Sequence, residues 1–155
     1  MSGSPVPGCG YTEINGDRSH PDTGGTYGAC LTDWNGSVPD AADDVIIAFV
    51  SIHDAMCSSL DGCVALDVRN YGVAHTQLSA LGYPVVWVAT PMSGGPLLRN
   101  RIAELNAAVS AELGCELEPA SVREAEMYDG LHYTQTGADL VGARLALIAE
   151  NPTPC

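Results

Sequence analysis

The sequence predicts an α/β fold in which helices cover a parallel sheet. Two continuous apolar runs, Val45-Ile-Ile-Ala-Phe-Val50 and Val85-Val-Trp-Val-Ala89, have the make-up of strands buried on both faces. Segments with helical periodicity alternate with them, and strand–helix–strand order implies parallel pairing through crossovers. The chain has 155 residues, enough for one domain with a core. Its 46% hydrophobic and 16% charged content is that of a globular protein.

Each element has its own signal. Residues 1–44 are rich in Gly, Pro, Asp, Ser and Thr and read as loops, with one short strand-like piece at Tyr11–Ile14. Val45–Val50 is the first clear strand, and Ser51-Ile-His-Asp54 reads as the loop that follows it. The segment from about Cys63 to Leu81 carries apolar residues at 64, 68, 71, 78 and 81, a helix that Gly82 and Pro84 end. Val85–Ala89 is the second buried strand, and Thr90–Pro96 is its loop. Leu98, Ile102, Leu105, Val109 and Leu113 form a helical stripe closed by Gly114. A short strand is expected near Cys115–Glu118. The last helix starts at Thr134 or Thr136 under a Thr cap, runs to Glu150 and turns Val141, Leu145 and Ile148 inward.

Bulk charge narrows the function. Six Lys and Arg face 19 Asp and Glu, for a formal charge of −13. That balance argues against a nucleic-acid backbone or an anionic membrane as partner. No apolar run approaches the roughly 20 residues of a membrane span. The six cysteines include no CxxC pair, which points to disulfides and hence to export. Proximity in sequence suggests Cys9–Cys30, Cys57–Cys63 and Cys115–Cys155; the other reading is a set of buried thiols in a cytosolic protein. The N-terminus lacks the basic and apolar regions of a signal peptide, so an exported form would be mature or trimmed.

The chemistry concentrates in residues 128–146, YDGLHYTQTGADLVGARLA. An Asp three residues before a His, in a tight turn, can accept the imidazole Nδ1–H. That fixes the tautomer and leaves Nε2 as a base for an adjacent hydroxyl. The competing reading is a structural His before a helix. Position favours chemistry, because working residues of open parallel sheets lie beyond the carboxyl ends of strands. Three loops, Ser51–Asp54, Thr90–Pro96 and the turn with Asp129 and His132, should open on that one edge.

Asp129-Gly-Leu-His132-Tyr-Thr134-Gln-Thr-Gly137 resembles the catalytic Asp-x-x-His turn of the SGNH, or GDSL-like, hydrolases. Asp44-Val-Ile-Ile-Ala-Phe49 is similar to that family's central strand, and the order of elements agrees over residues 40–150. The resemblance implies a flavodoxin-like, three-layer α/β/α sandwich in one domain over residues 1–155, with residues 45–150 as its core. It implies a serine esterase, lipase or deacetylase, acting on an ester or acetylated carbohydrate without a cofactor. Asp129 and His132 would then be the acid and the base of the triad.

Two departures stand out. The family's Gly-x-Asn-Asp, whose Asn helps form the oxyanion hole, is replaced by Ser51-Ile-His-Asp54. His53 would have to donate in the Asn's place. The family's Gly-Asp-Ser nucleophile motif has its nearest match in Gly16-Asp17-Arg-Ser19. One reading makes Ser19 the nucleophile after a short first strand. The other aligns Asn15–Gly28 with the family's glycine block, so that Gly24 or Gly25 gives an oxyanion N–H, and leaves the first strand and the catalytic Ser absent. A non-catalytic binding or structural module on the same scaffold is therefore the rival, and a fragment with an exposed sheet edge is a third reading.

Other features read as structural. His20, His53, His75 and His132 show no metal-site spacing, and no metal is expected. His75 falls on the apolar stripe of its helix and should be a packed or edge histidine, and Trp87, in a strand, should be core. Trp34 lies in a loop and is freer to touch ligand. Gly24-Gly25 and Gly94-Gly95 lack the context of phosphate cradles. Ser93 lines the expected crevice without a nucleophile motif.

Overall fold

The computed structural model describes residues 45–57, 68–120, 126–127 and 132–155. In order, β1 (Ile46–Phe49), α1 (Ile52–Cys57), α2 (Arg69–Ser79), β2 (Val85–Val88), α3 (Pro96–Leu113) and α4 (Gln135–Glu150) make up the chain's regular elements among these residues. The two strands pair in parallel, Ile46 beside Val85 through Phe49 beside Val88. The expected strand at Cys115–Glu118 is reduced to one parallel bridge, Glu118 beside Val88. Glu118 N–H donates to the Trp87 carbonyl at 2.8 Å and Ala89 N–H to the Glu118 carbonyl at 2.8 Å.

Side-chain alternation along β2 divides the core in two. Val85 and Trp87 join Ala48, Val50, Tyr71, Leu78, Ile102, Leu105 and Val109, on the side of α1, α2 and α3. Val86 and Val88 join Leu145, Ile148 and Ala120, on the side of α4. All four β2 residues are buried, as an apolar run of this type requires. The helical stripes behave as their periodicity predicts. Ile102, Leu105 and Val109 are buried on α3, with Leu98 and Leu113 packed beside them.

Helix ends follow local chemistry. Pro96 opens α3 where no N–H is needed, and Gly114 closes it in the left-handed conformation at φ 68°. Thr134, not Thr136, caps α4: its side chain accepts from Gly137 N–H at 3.1 Å. The Ser51–Asp54 segment corrects the sequence reading, because α1 already begins at Ile52. Ser51 is a residue type suited to precede a helix, and Asp54 lies in the first turn, where a carboxylate meets the positive end of the helix dipole.

A disulfide joins Cys115 to Cys155, as proximity suggested, across a sequence separation of 40. Cys155 N–H donates to the Val85 carbonyl at 3.1 Å, on the edge of β2 that Glu118 also uses. The C-terminal tail thus straps the start of β2 beside the segment it is bonded to. The pairings Cys9–Cys30 and Cys57–Cys63 lie outside the described residues, as do the loop-rich first 44 residues. Among the described residues no helix is long and apolar enough to cross a membrane.

Closing a loop of this length restricts the unfolded chain by about 4 kcal/mol. Cys155→Ser should therefore lower the unfolding free energy in urea by about 3–4 kcal/mol. A loss below about 1 kcal/mol would mean that the strap contributes little beyond its hydrogen bond.

Candidate functional site

Three segments meet the carboxyl edge of the parallel pair. The first follows β1. Val50, itself bonded through its N–H to the Val88 carbonyl at 2.9 Å, leads into Ser51 and α1. The second follows β2, and Thr90 ties it to the first: its hydroxyl donates to the Val50 carbonyl at 2.5 Å. Asn106 on α3 clasps the Thr90 backbone from both sides, accepting its N–H at 3.0 Å and donating to its carbonyl at 2.9 Å. Arg99 Nε donates to the Gly94 carbonyl at 2.9 Å and holds the far end of that loop.

The third segment reaches the same edge through the direction of α4. Its C-terminal tail bonds Val85, at the start of β2, and Arg144 pairs with Glu118, level with Val88 at the strand's end. The helix therefore runs against the strands. Gln135, nine residues before Arg144, lies roughly 13 Å further along the axis, beyond the strand ends. His132 is exposed just ahead of that helix start.

The seat of this turn is built from Glu126. Thr134 N–H donates to the Glu126 carbonyl at 2.8 Å, and the Thr134 hydroxyl donates to the same oxygen at 3.0 Å. Met127 and Tyr133 form an antiparallel bridge beside it. A Cβ on Gly137 would stand 2.4 Å from the Glu126 carbonyl oxygen, so the first turn of α4 approaches that backbone as only glycine allows. Thr134 and Gly137 of the turn's pattern thus have structural work: one caps the helix and the other lets it sit down.

His132 is placed at the expected edge. His53 falls within α1, adjoining the same edge, though its side chain lies outside the described residues, as do Ser19, Gly24, Gly25 and Asp129. Ser93, in the clasped loop, is fully buried and its Oγ has no hydrogen-bond partner. His75 is a packed histidine: Trp87 Nε1–H donates to its Nδ1 at 3.2 Å. That bond makes Nε2 the protonated nitrogen, which faces the Ser79 hydroxyl at 3.4 Å. Among the described residues no three His, Cys, Asp or Glu side chains gather as metal ligands would. Trp34 lies outside the described residues.

Sequence reasoning missed a buried brace. Tyr71 donates its hydroxyl to Asp54 Oδ2 at 2.5 Å and accepts the Ser51 N–H at 3.1 Å. It also missed the Asn106 clasp. A polar Asn next to Leu105 in an apolar stripe was the available signal.

No protein-family model and no curated protein matches the sequence. A solved structure similar to this chain is that of a protein from Slackia heliotrinireducens described as "a putative SGNH hydrolase". The match has a TM-score of 0.51 at 18% identity and covers 78% of this chain and 70% of that one. At this identity the likeness speaks to fold alone, and it supports an SGNH-like α/β arrangement.

Two outcomes test the seat. Gly137→Ala should cost about 2 kcal/mol or more, because the obstacle is backbone rather than a flexible side chain. Thr134→Ala should cost about 1 kcal/mol by loss of the cap. Urea unfolding measures both, and Gly137→Ala at wild-type stability would refute the close approach. Burial raises the pKa of Tyr133 above the ordinary tyrosine value of 10.0. A phenol whose folded pKa is raised adds stability that is present below pH 10 and is lost as pH rises above it. The wild-type protein should therefore lose more stability above pH 10 than Tyr133→Phe, compared by thermal unfolding.

Proposed function

We propose that this chain is an SGNH-type serine hydrolase that cleaves an ester or an acetylated carbohydrate. The observation that carries the reading is that His132, in a sequence with the Asp-x-x-His pattern, is exposed just ahead of the Thr134-capped α4. A hydrolase-like neighbour in structure supports it. The reading includes a single domain over residues 1–155, a flavodoxin-like three-layer sandwich and export from the cell.

In this mechanism Asp129 accepts the Nδ1–H of His132 and keeps Nε2 unprotonated. Nε2 removes the hydroxyl proton of Ser19 as Oγ attacks the ester carbonyl. The oxyanion is met by the Ser19 N–H, a Gly24 or Gly25 N–H and His53. His132 then gives its proton to the leaving alcohol, and water repeats the sequence on the acyl-enzyme. No cofactor takes part.

A second reading has an observation in its favour. The residues in place of Gly-x-Asn-Asp begin a helix, and a His stands where the Asn would donate. A scaffold with that change and without a competent Ser19 would bind rather than cleave.

A fluorophosphonate probe decides between them. It phosphonylates an activated Ser Oγ and expels fluoride. Label on Ser19 that disappears in His132→Ala is the expected result. Label on another serine keeps the hydrolase and discards Ser19. Absence of label on folded protein overturns the hydrolase and leaves the binding module.

A further inference from the structure

We infer that Tyr71 is a positioning residue for the oxyanion corner: its single hydroxyl joins the Ser51 backbone N–H to the Asp54 carboxylate, on either side of His53. The inference rests on the hydrolase reading above. Tyr71 reaches from α2 and is fully buried, and Asp54 is 1% exposed. The hydroxyl uses both of its roles. It donates to Asp54 Oδ2 at 2.5 Å and accepts from Ser51 N–H at 3.1 Å. The two anchored residues flank the Ile52–His53 dipeptide. A third bond, Asp54 N–H to the Ser51 carbonyl at 3.2 Å, closes the turn on itself.

The oxygen is also fixed relative to the sheet. The Tyr71 ring meets Trp87 edge-on, with centroids 5.6 Å apart and planes at 64°. Trp87 is fully buried in β2 and paired there through its backbone. The α-carbon of His53 is therefore referenced to β2 through Tyr71 as well as to β1 through Val50. A donor for a developing oxyanion works only when it is aimed before charge appears, so this referencing is where rate is gained. The His substitution makes the demand greater, because an imidazole has fewer donors than an amide and has to be held for one of them.

The test is a double-mutant cycle read by phosphonylation kinetics, with the maximal rate and the half-saturating probe concentration determined separately. Tyr71→Phe, which keeps the ring against Trp87, should lower the maximal rate about tenfold with half-saturation unchanged. In a His53→Ala background the same change should have almost no further effect, since the brace would have nothing left to aim. An equal tenfold loss in both backgrounds overturns the inference and makes the role generally structural. An unchanged rate in Tyr71→Phe overturns it as well. Should Tyr71→Phe fail to fold, Asp54→Asn and Asp54→Ala make the same comparison. The Asn oxygen still accepts the Tyr71 hydroxyl, so Asp54→Asn should lose less rate than Asp54→Ala, and equal losses overturn the inference. Wild-type protein that takes no label removes the hydrolase reading itself and this role with it, a result distinct from a labelled enzyme indifferent to Tyr71.

Discussion

Trp87 is the point on which the described structure turns. Its backbone pairs with β1 on one side, and its carbonyl accepts Glu118 N–H on the other. Its indole is fully buried, meets Tyr71 edge-on and donates to His75. One residue thus sets the spacing of strands, the seat of α2 and the position of the Tyr71 hydroxyl. Burying so large a side chain is worth several CH2 groups of transfer free energy, about 0.8 kcal/mol for each. The indole N–H would cancel part of that if unpaired, and His75 prevents it.

From this centre the edge of the sheet is organised by backbone carbonyls rather than by charges. The Val50 carbonyl receives Thr90, the Thr90 carbonyl receives Asn106, and the Glu126 carbonyl receives Thr134 twice. The first of these joins segments 40 residues apart in sequence, where β1 and β2 give out. Strand ends leave polar backbone groups that must be satisfied in the interior. The side chains that satisfy them also fix the loops. The same saturation makes Ser93 notable, since its buried hydroxyl has no such partner.

The fold was largely legible where one physical rule governs. Val85–Val88 was readable because a strand buried on both faces tolerates only apolar residues. The α3 stripe was readable from its period, and its end from Gly114. The cap at Thr134 was narrowed to two residues by composition, and geometry chose between them through Gly137. What was not legible depends on partners distant in sequence. Ser51–Asp54 was read as loop because its helical propensity is weak, yet Tyr71, from another helix, organises that turn. The strand at Cys115–Glu118 shrank to a bridge because the competing use of that edge, by Cys155, is invisible in local sequence. Of the candidate site, the place of His132 could be inferred from the chain order of strand, turn and helix. Its chemistry could be inferred only by resemblance, since Asp-x-x-His by itself has a structural reading.

The charge of the whole chain bears on what such a site could accept. At −13 with no Lys and six Arg, the molecule repels anions over long range. Among the described residues, Arg99 is held by the Gly94 carbonyl and Arg144 by Glu118. An oxyanion in this field gains little from distant cations and depends on donors in direct contact, where screening by salt and water is weakest. On the proposed hydrolase reading, a braced Ser51–Asp54 turn would serve that need, because short-range donors lose their effect with small displacements. On the same reading, the field favours an uncharged ester over a carboxylate- or phosphate-bearing one, because the neutral substrate approaches without penalty.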